Sequence, residues 1–113
     1  MYGFYIYNSS NNKITKNSIL NNSCGIDTYY HSFNNIFYLN NFIDNSKNSV
    51  QNNVWNSPAP ITYTYNGNTY TNYRGNYWDD YTGGDADGDG IGDTPYDIDS
   101  DKDNYRLMEP FEK

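Results

Sequence analysis

Asn11-Asn12-Lys13-Ile14-Thr15-Lys16-Asn17-Ser18-Ile19-Leu20-Asn21-Asn22 returns 23 residues later as Asn34-Asn35-Ile36-Phe37-Tyr38-Leu39-Asn40-Asn41-Phe42-Ile43-Asp44-Asn45. Asn11, Asn12, Asn17 and Asn22 fall on Asn34, Asn35, Asn40 and Asn45, while Ile14, Ile19 and Leu20 fall on Phe37, Phe42 and Ile43. Upstream the offset slips to 22, matching Gly3-Phe4 to Gly25-Ile26. Short apolar strands between bends, at a period of about 20–25 residues and without a helical signal, predict a β-solenoid. Asn suits the bends because it tolerates the left-handed backbone region, and its amide can bond to the Asn one coil below. Low-complexity Asn-rich sequence would not hold its apolar residues in register with the Asn.

Two coils cannot bury their own ends, so upstream coils or a second copy of the chain are expected to stack on the open end. The start, Met1-Tyr2-Gly3-Phe4, has no charged leader and lies inside a patterned segment, so the chain is expected to be the last part of something longer.

Composition supports an all-β reading. The 113 residues suffice for one small domain, and 20 Asn and 14 Tyr favour strands and bends over helix. Mean hydropathy is −1.00, and the longest apolar run, around Tyr2 to Tyr7, is far short of the ~20 residues of a membrane span. Residues 79–103 hold ten Asp against one Lys, whereas residues 1–78 hold two Asp against three Lys and one Arg. Such a balance suits a cation and excludes nucleic acid as a natural partner. Cys24, the only cysteine, can form no internal disulfide and is expected to be a buried thiol.

Beyond Asn53 the pattern changes. Ile61-Thr62-Tyr63-Thr64-Tyr65, Asn66-Gly67 and Asn68-Thr69-Tyr70-Thr71-Asn72 predict a hairpin with Tyr63 opposite Tyr70 and Thr62 opposite Thr71. The acidic segment then places Asp85, Asp87, Asp89 and Asp93 at positions 1, 3, 5 and 9 of a D-x-D-x-D-G loop. Gly90 makes the sharp bend, and Ile91 offers its backbone carbonyl. Crowded hard oxygens at this spacing point to calcium. Position 12 is Tyr96, so Asp97, one residue later, is the candidate to complete the shell. Without a bidentate Glu the expected affinity is ~10⁻⁴–10⁻³ M. Asp99, Asp101 and Asp103, at alternate positions after Asp97, could complete this site or form a second.

The remaining constellations are weaker. Trp55, Tyr77, Trp78 and Tyr81 are expected either to stack on a sugar or to cap the apolar end of the solenoid. Asp79-Asp80 could serve as an acid/base pair, but neighbouring strand residues face opposite ways, which favours a charged rim. His31, the only histidine, is expected at the surface or in a turn.

Gly75-Asn76-Tyr77-Trp78-Asp79-Asp80-Tyr81-Thr82-Gly83, the Asp85–Tyr96 loop and Asp103-Asn104-Tyr105-Arg106-Leu107-Met108-Glu109-Pro110 together resemble the C-terminal end of NosD-like right-handed parallel β-helix proteins. Arg106 stands where that resemblance leads one to expect Pro. The resemblance implies membership of the broad carbohydrate-binding and sugar-hydrolase group, with many members on the surface of methanogenic archaea. The family name implies periplasmic copper delivery to nitrous oxide reductase, yet one His, one Cys and two Met offer few soft ligands.

The resulting expectation is an all-β chain with a short right-handed parallel β-helix of two to three coils at 1–53. A hairpin and aromatic capping segment follows at 54–81, and an acidic calcium-binding tail at 82–113. Its expected role is a non-catalytic extracellular or cell-surface module, adhesin-like or in contact with surface polysaccharide. The alternatives are a polysaccharide lyase or glycoside hydrolase fragment and a copper-enzyme maturation factor.

Overall fold

A computed structural model describes residues 2–29 and 31–111. The described residues form an all-β structure with strands β1 (Tyr2–Tyr7), β2 (Lys13–Thr15), β3 (Ser18–Leu20), β4 (Cys24–Tyr29), β5 (Ile36–Tyr38), β6 (Asn41–Ile43), β7 (Ile61–Tyr65), β8 (Asn68–Asn72), β9 (Tyr77–Trp78), β10 (Tyr96–Ile98) and β11 (Asp101–Asp103). No helix among them is long and apolar enough to cross a membrane.

The repeat sets the pairing. β1, β2 and β3 run parallel to β4, β5 and β6, with Phe4 opposite Ile26, Ile14 opposite Phe37 and Ile19 opposite Phe42. These are the partners given by offsets of 22 and 23. A third tier follows, in which Ser49 bridges Asp27, Val54 bridges Ile36, and β9 pairs in parallel with β6. This tier carries the β7–β8 hairpin as an insertion. The insertion is closed at its base by Ser57 N–H donating to Arg74 O (2.8 Å) and Arg74 N–H donating to Ser57 Oγ (3.2 Å). Finally β10 and β11 pair antiparallel.

The doubled Asn residues divide two tasks between them. The first member of each pair takes the left-handed turn: Asn11, Asn21, Asn34 and Asn52 all have φ between 56° and 64°. Lys16, Leu39 and Asp44 occupy the same position elsewhere at φ 56–63°, where a non-Gly residue costs roughly 1–2 kcal/mol. The second member builds a ladder. Asn12 donates its backbone N–H and its Nδ2 to Asn35 Oδ1 (3.0 and 2.9 Å), and Asn35 donates likewise to Asn53 Oδ1 (both 3.2 Å). A parallel ladder runs from Asn17 through Asn40 to Asn76, again by paired donation to Oδ1. Asn22 and Asn45 begin a third in the same way.

Inside the tiers, apolar side chains form columns that widen along the chain. Phe37 stacks on Trp55 with ring centroids 4.3 Å apart, and Phe42 stacks on Trp78 at 4.2 Å. Tyr96 stacks on the far face of Trp78 at 4.5 Å and closes that column. Each such pair adds about 0.5–1.5 kcal/mol beyond the area it buries. Cys24 is buried as expected, and burial pushes its thiol pKa up.

The hairpin has the expected register, with Tyr63 opposite Tyr70 and Thr62 opposite Thr71. Asn66 and Gly67 both have positive φ, 50° and 84°, as a type I′ turn requires. The Thr62 and Thr71 hydroxyls meet at 2.9 Å on one face and the Tyr63 and Tyr70 rings stack on the other.

Asn76 is fully buried in the middle of its ladder. Asn76→Ala should cost ~3 kcal/mol or more in urea unfolding, since it strands several buried partners at once. Asn76→Asp should cost at least as much, because it keeps the acceptor but sets a second carboxylate against Asp103. Asn12→Ala, at the exposed end, should cost under ~1 kcal/mol. An Asn76→Asp variant as stable as the wild type would contradict the ladder.

Candidate metal centre

The D-x-D-x-D-G loop is folded by its own amides. Asp85 accepts Asp89 N–H at Oδ1 (3.2 Å) and Gly90 N–H at Oδ2 (2.9 Å), and Asp89 accepts Ile91 N–H (3.0 Å). Gly88 and Gly90 take φ of 70° and 85°, which bends the chain sharply enough to turn the carboxylates inward. One oxygen each from Asp85, Asp87 and Asp89 then lie within 4.8 Å of one another. Asp93 lies beside this group, accepting Ala86 N–H at 2.6 Å. The Ile91 side chain is buried, and its backbone bridges Leu107.

Crowding divides the proton affinities of the neighbours. At Asp85 partial desolvation acts upward, but bonds from Gly90, Asp87, Asp89 and Gly88 outweigh it and hold the pKa below the ordinary carboxylate value. At Asp87 the shared hydrogen bond with Asp85 acts upward, and its pKa lies above that value. A divalent cation would remove this competition by neutralising both.

The hairpin is the loop's support. Tyr63 donates its hydroxyl to Asp89 O (2.7 Å), and Tyr70 donates to Gly88 O (3.2 Å). A Cβ on Gly90 would lie 2.8 Å from the Tyr65 ring, so this position must be glycine for space as well as for φ.

The other acidic residues do different work. Asp97 forms an ion pair with Lys102 at 2.5 Å on β10–β11, outside the group of three. Asp99 accepts Val50 N–H (3.1 Å). Asp101 accepts Asn52 N–H (2.8 Å), Asn53 N–H (3.1 Å) and the Trp55 indole N–H (2.9 Å). Asp103, fully buried, accepts Asn76 N–H (2.8 Å), Asn76 Nδ2 (3.3 Å), Trp78 Nε1–H (2.9 Å) and Tyr105 N–H (3.0 Å). Asp101 and Asp103 are thus occupied by amide and indole donors, and Asp99 by one backbone amide. Asp101 and Asp103 end two of the three Asn ladders. Gly75 makes room for this ending, since a Cβ there would stand 2.0 Å from Asp103 Oδ1.

The aromatic quartet also resolves. Trp55 and Trp78 are each 1% exposed, so neither presents a face to a sugar. Tyr77 and Tyr81 lie under the Arg106 guanidinium, at 4.9 and 4.1 Å from its central carbon. Arg106 is buried and donates to Trp78 O (2.7 Å) and Leu107 O, bonds that the expected Pro could not make. Asp79 accepts Asp44 N–H and Asp80 accepts the Tyr96 hydroxyl, both at 2.7 Å, which makes them fasteners. His31 is exposed at a left-handed bend.

Burial pushes the Asp103 pKa up to about 6, against the downward pull of the Trp78, Asn76 and Tyr105 donors. The folded chain therefore holds a proton between about pH 4 and 6 that the unfolded chain has released. Stability from this group should fall as pH rises across that window, by up to ~3 kcal/mol, and then level off. Asp103→Asn should flatten that limb in urea titrations run at stepped pH. An unchanged limb would contradict the assignment.

The NosD family model, described as "Periplasmic copper-binding protein (NosD)", matches residues 1–83, which hold the three tiers and the hairpin. A Pseudomonas aeruginosa protein named "Probable ABC transporter binding protein NosD" is 31% identical over 110 residues, covering 94% of this chain and 22% of the relative. The chain thus spans about a fifth of that relative's length. No solved structure matches. On the length of the family match, the chain belongs to the NosD family.

Proposed function

We propose that this chain is the closing end of a right-handed parallel β-helix in an exported NosD-family protein, a non-catalytic module whose Asp/Gly loop binds calcium. The observation that carries the metal is the convergence of Asp85, Asp87 and Asp89 at D-x-D-x-D-G spacing. Three carboxylates are hard oxygen donors, suited to calcium. An envelope or extracellular location is consistent with the family description, which names a periplasmic protein.

Copper, which the family description names, does not fit the residues of this chain. Cys24 is buried with its thiol 3.2 Å from Ile26 O, and Met108 Sδ lies 3.6 Å from an Arg106 nitrogen. The one group of three or more clustered His, Cys, Asp or Glu side chains among the described residues is made of aspartates. The enzyme alternative fares no better, because Asp79 and Asp80 are both engaged in structural bonds. Glycan contact forms no part of the proposal, since Trp55 and Trp78 are core residues.

The open end is where a further coil would stack. Donation runs one way along each ladder, so Asn12, Asn17 and Asn22 turn their Oδ1 acceptors outward. Two open ends meeting face to face would set acceptors against acceptors. The polarity favours an upstream coil running in the same sense over a second copy.

Calcium titration by calorimetry, with a parallel melt in EDTA, tests the metal. Binding is expected at ~10⁻⁴–10⁻³ M. At tenfold excess over Kd the gain is ~1.4 kcal/mol, enough to raise the melting temperature by several degrees. Asp87→Ala and Asp89→Ala should abolish both effects. Absence of binding, or variants that bind as the wild type does, would overturn the calcium assignment.

A further inference from the structure

The hairpin tip is set apart from the other Asn-rich bends. Asn66-Gly67 is the one Asn-Gly pair in the chain, and both residues are exposed. A Cβ built on Gly67 would meet nothing within 4 Å. Among the described residues, neither the Asn66 carboxamide nor the Gly67 N–H has a hydrogen-bond partner. An Asn side chain can be attacked by the backbone nitrogen of the residue that follows it. That attack needs the nitrogen unbonded and the carboxamide able to swing back over it, and a following glycine has no Cβ to crowd the approach.

Elsewhere the fold withholds one or the other. Six asparagines precede Ser, the next smallest neighbour. After Asn8, Asn45, Asn48 and Asn56 the Ser N–H is already given away, to Ser32 Oγ (3.1 Å), Asn22 O (2.9 Å), Ile26 O (2.8 Å) and Arg74 O (2.8 Å). Asn17 and Asn22 have their Nδ2 groups held in the ladders and on Thr15 O and Leu20 O, both 3.0 Å. Asn66 is held in neither way.

We propose that Asn66 is a site of self-modification, where the Gly67 nitrogen turns the amide into an acid and the isoaspartate product loosens the hairpin's grip on the acidic loop. The Gly67 nitrogen gives its proton to solvent and bonds to Asn66 Cγ, and Nδ2 leaves with a proton from solvent as ammonia. Water then opens the cyclic imide at either carbonyl, leaving aspartate or isoaspartate. In sum an amide and a water become an acid and ammonia, with nothing oxidised or reduced. The two products differ in consequence. Asp-Gly fits the same type I′ turn as Asn-Gly. Isoaspartate runs the main chain through the former side chain and adds a methylene, so a two-residue turn no longer sets the strand register. That register is what carries the Tyr63 and Tyr70 hydroxyls to Asp89 O and Gly88 O and the Tyr65 ring to Gly90. The proposal does not depend on a bound cation.

The test is incubation of the wild-type protein at mildly alkaline pH and body temperature, with peptide mapping by mass spectrometry and isoaspartyl methyltransferase labelling. Asn66 should convert before any other asparagine. The isoaspartate form, separated by anion exchange, should melt ~4 °C or more below the wild type. Its Gly90 and Ile91 amides, which bond to Asp85 and Asp89, should exchange faster with solvent. Asn66→Asp should melt close to the wild type. The proposal is overturned if another asparagine converts first, or if Asn66 persists while a peptide of residues 61–72 converts under the same conditions. It is equally overturned if the isoaspartate form melts and exchanges as the wild type does, or if Asn66→Asp melts as low as that form.

Discussion

A ladder of asparagine amides has a direction, and a directed ladder must end on a group that accepts without donating. Asn12, Asn17, Asn22, Asn35 and Asn40 each give two N–H bonds to the Oδ1 of the next tier. A further Asn at the last rung would bring an Nδ2 that needs an acceptor of its own. A carboxylate needs none, being acceptor-only when ionised. Asp101 and Asp103 take those last places, and each also takes the indole N–H of a tryptophan in an aromatic column. The polar ladders and the aromatic columns are thus tied together by the same two side chains. That coupling explains why a carboxylate is tolerated where burial alone would exclude it.

The second dependence runs through the hairpin. It leaves the third tier between the rungs at Asn53 and Asn76, and its tyrosines grip the carbonyls of the acidic loop. The loop is tied from the other side too, with Gly92 N–H donating to Arg106 O and Met108 N–H donating to Gly90 O, both bonds under 3.0 Å. A cation in the loop would therefore act on the tier through the hairpin and on the closing segment through Arg106. A cation so placed would be a fastener.

Much of this was legible in the sequence where repetition was regular. The 23-residue match gave the strand partners because identical spacing forces identical register, and Asn66-Gly67 gave the hairpin because few other pairs accept two positive φ values. The third tier was hidden. Its rungs lie 18 and 36 residues beyond their partners, since the hairpin is inserted between them. The acidic run was ambiguous for a different reason. Alternating Asp residues look alike as ligands or as acceptors, and only their donors tell them apart. A hint was present in the ladder logic itself, because a row of Asn amides needs a last acceptor. Arg106 carried no such signal, and its meaning comes from the tyrosines that the fold brings beneath it.

The most direct test of the acceptor-terminated ladder is hydrogen exchange of the Trp55 and Trp78 indole N–H groups by ¹⁵N NMR. Both indoles point at ladder-ending carboxylates, and Trp78 lies in the core. The account predicts that the Trp78 indole exchanges only through global unfolding, with Trp55 close behind. Indoles that exchange as fast as those of an unstructured peptide would contradict it, because the stack would then end without its carboxylates.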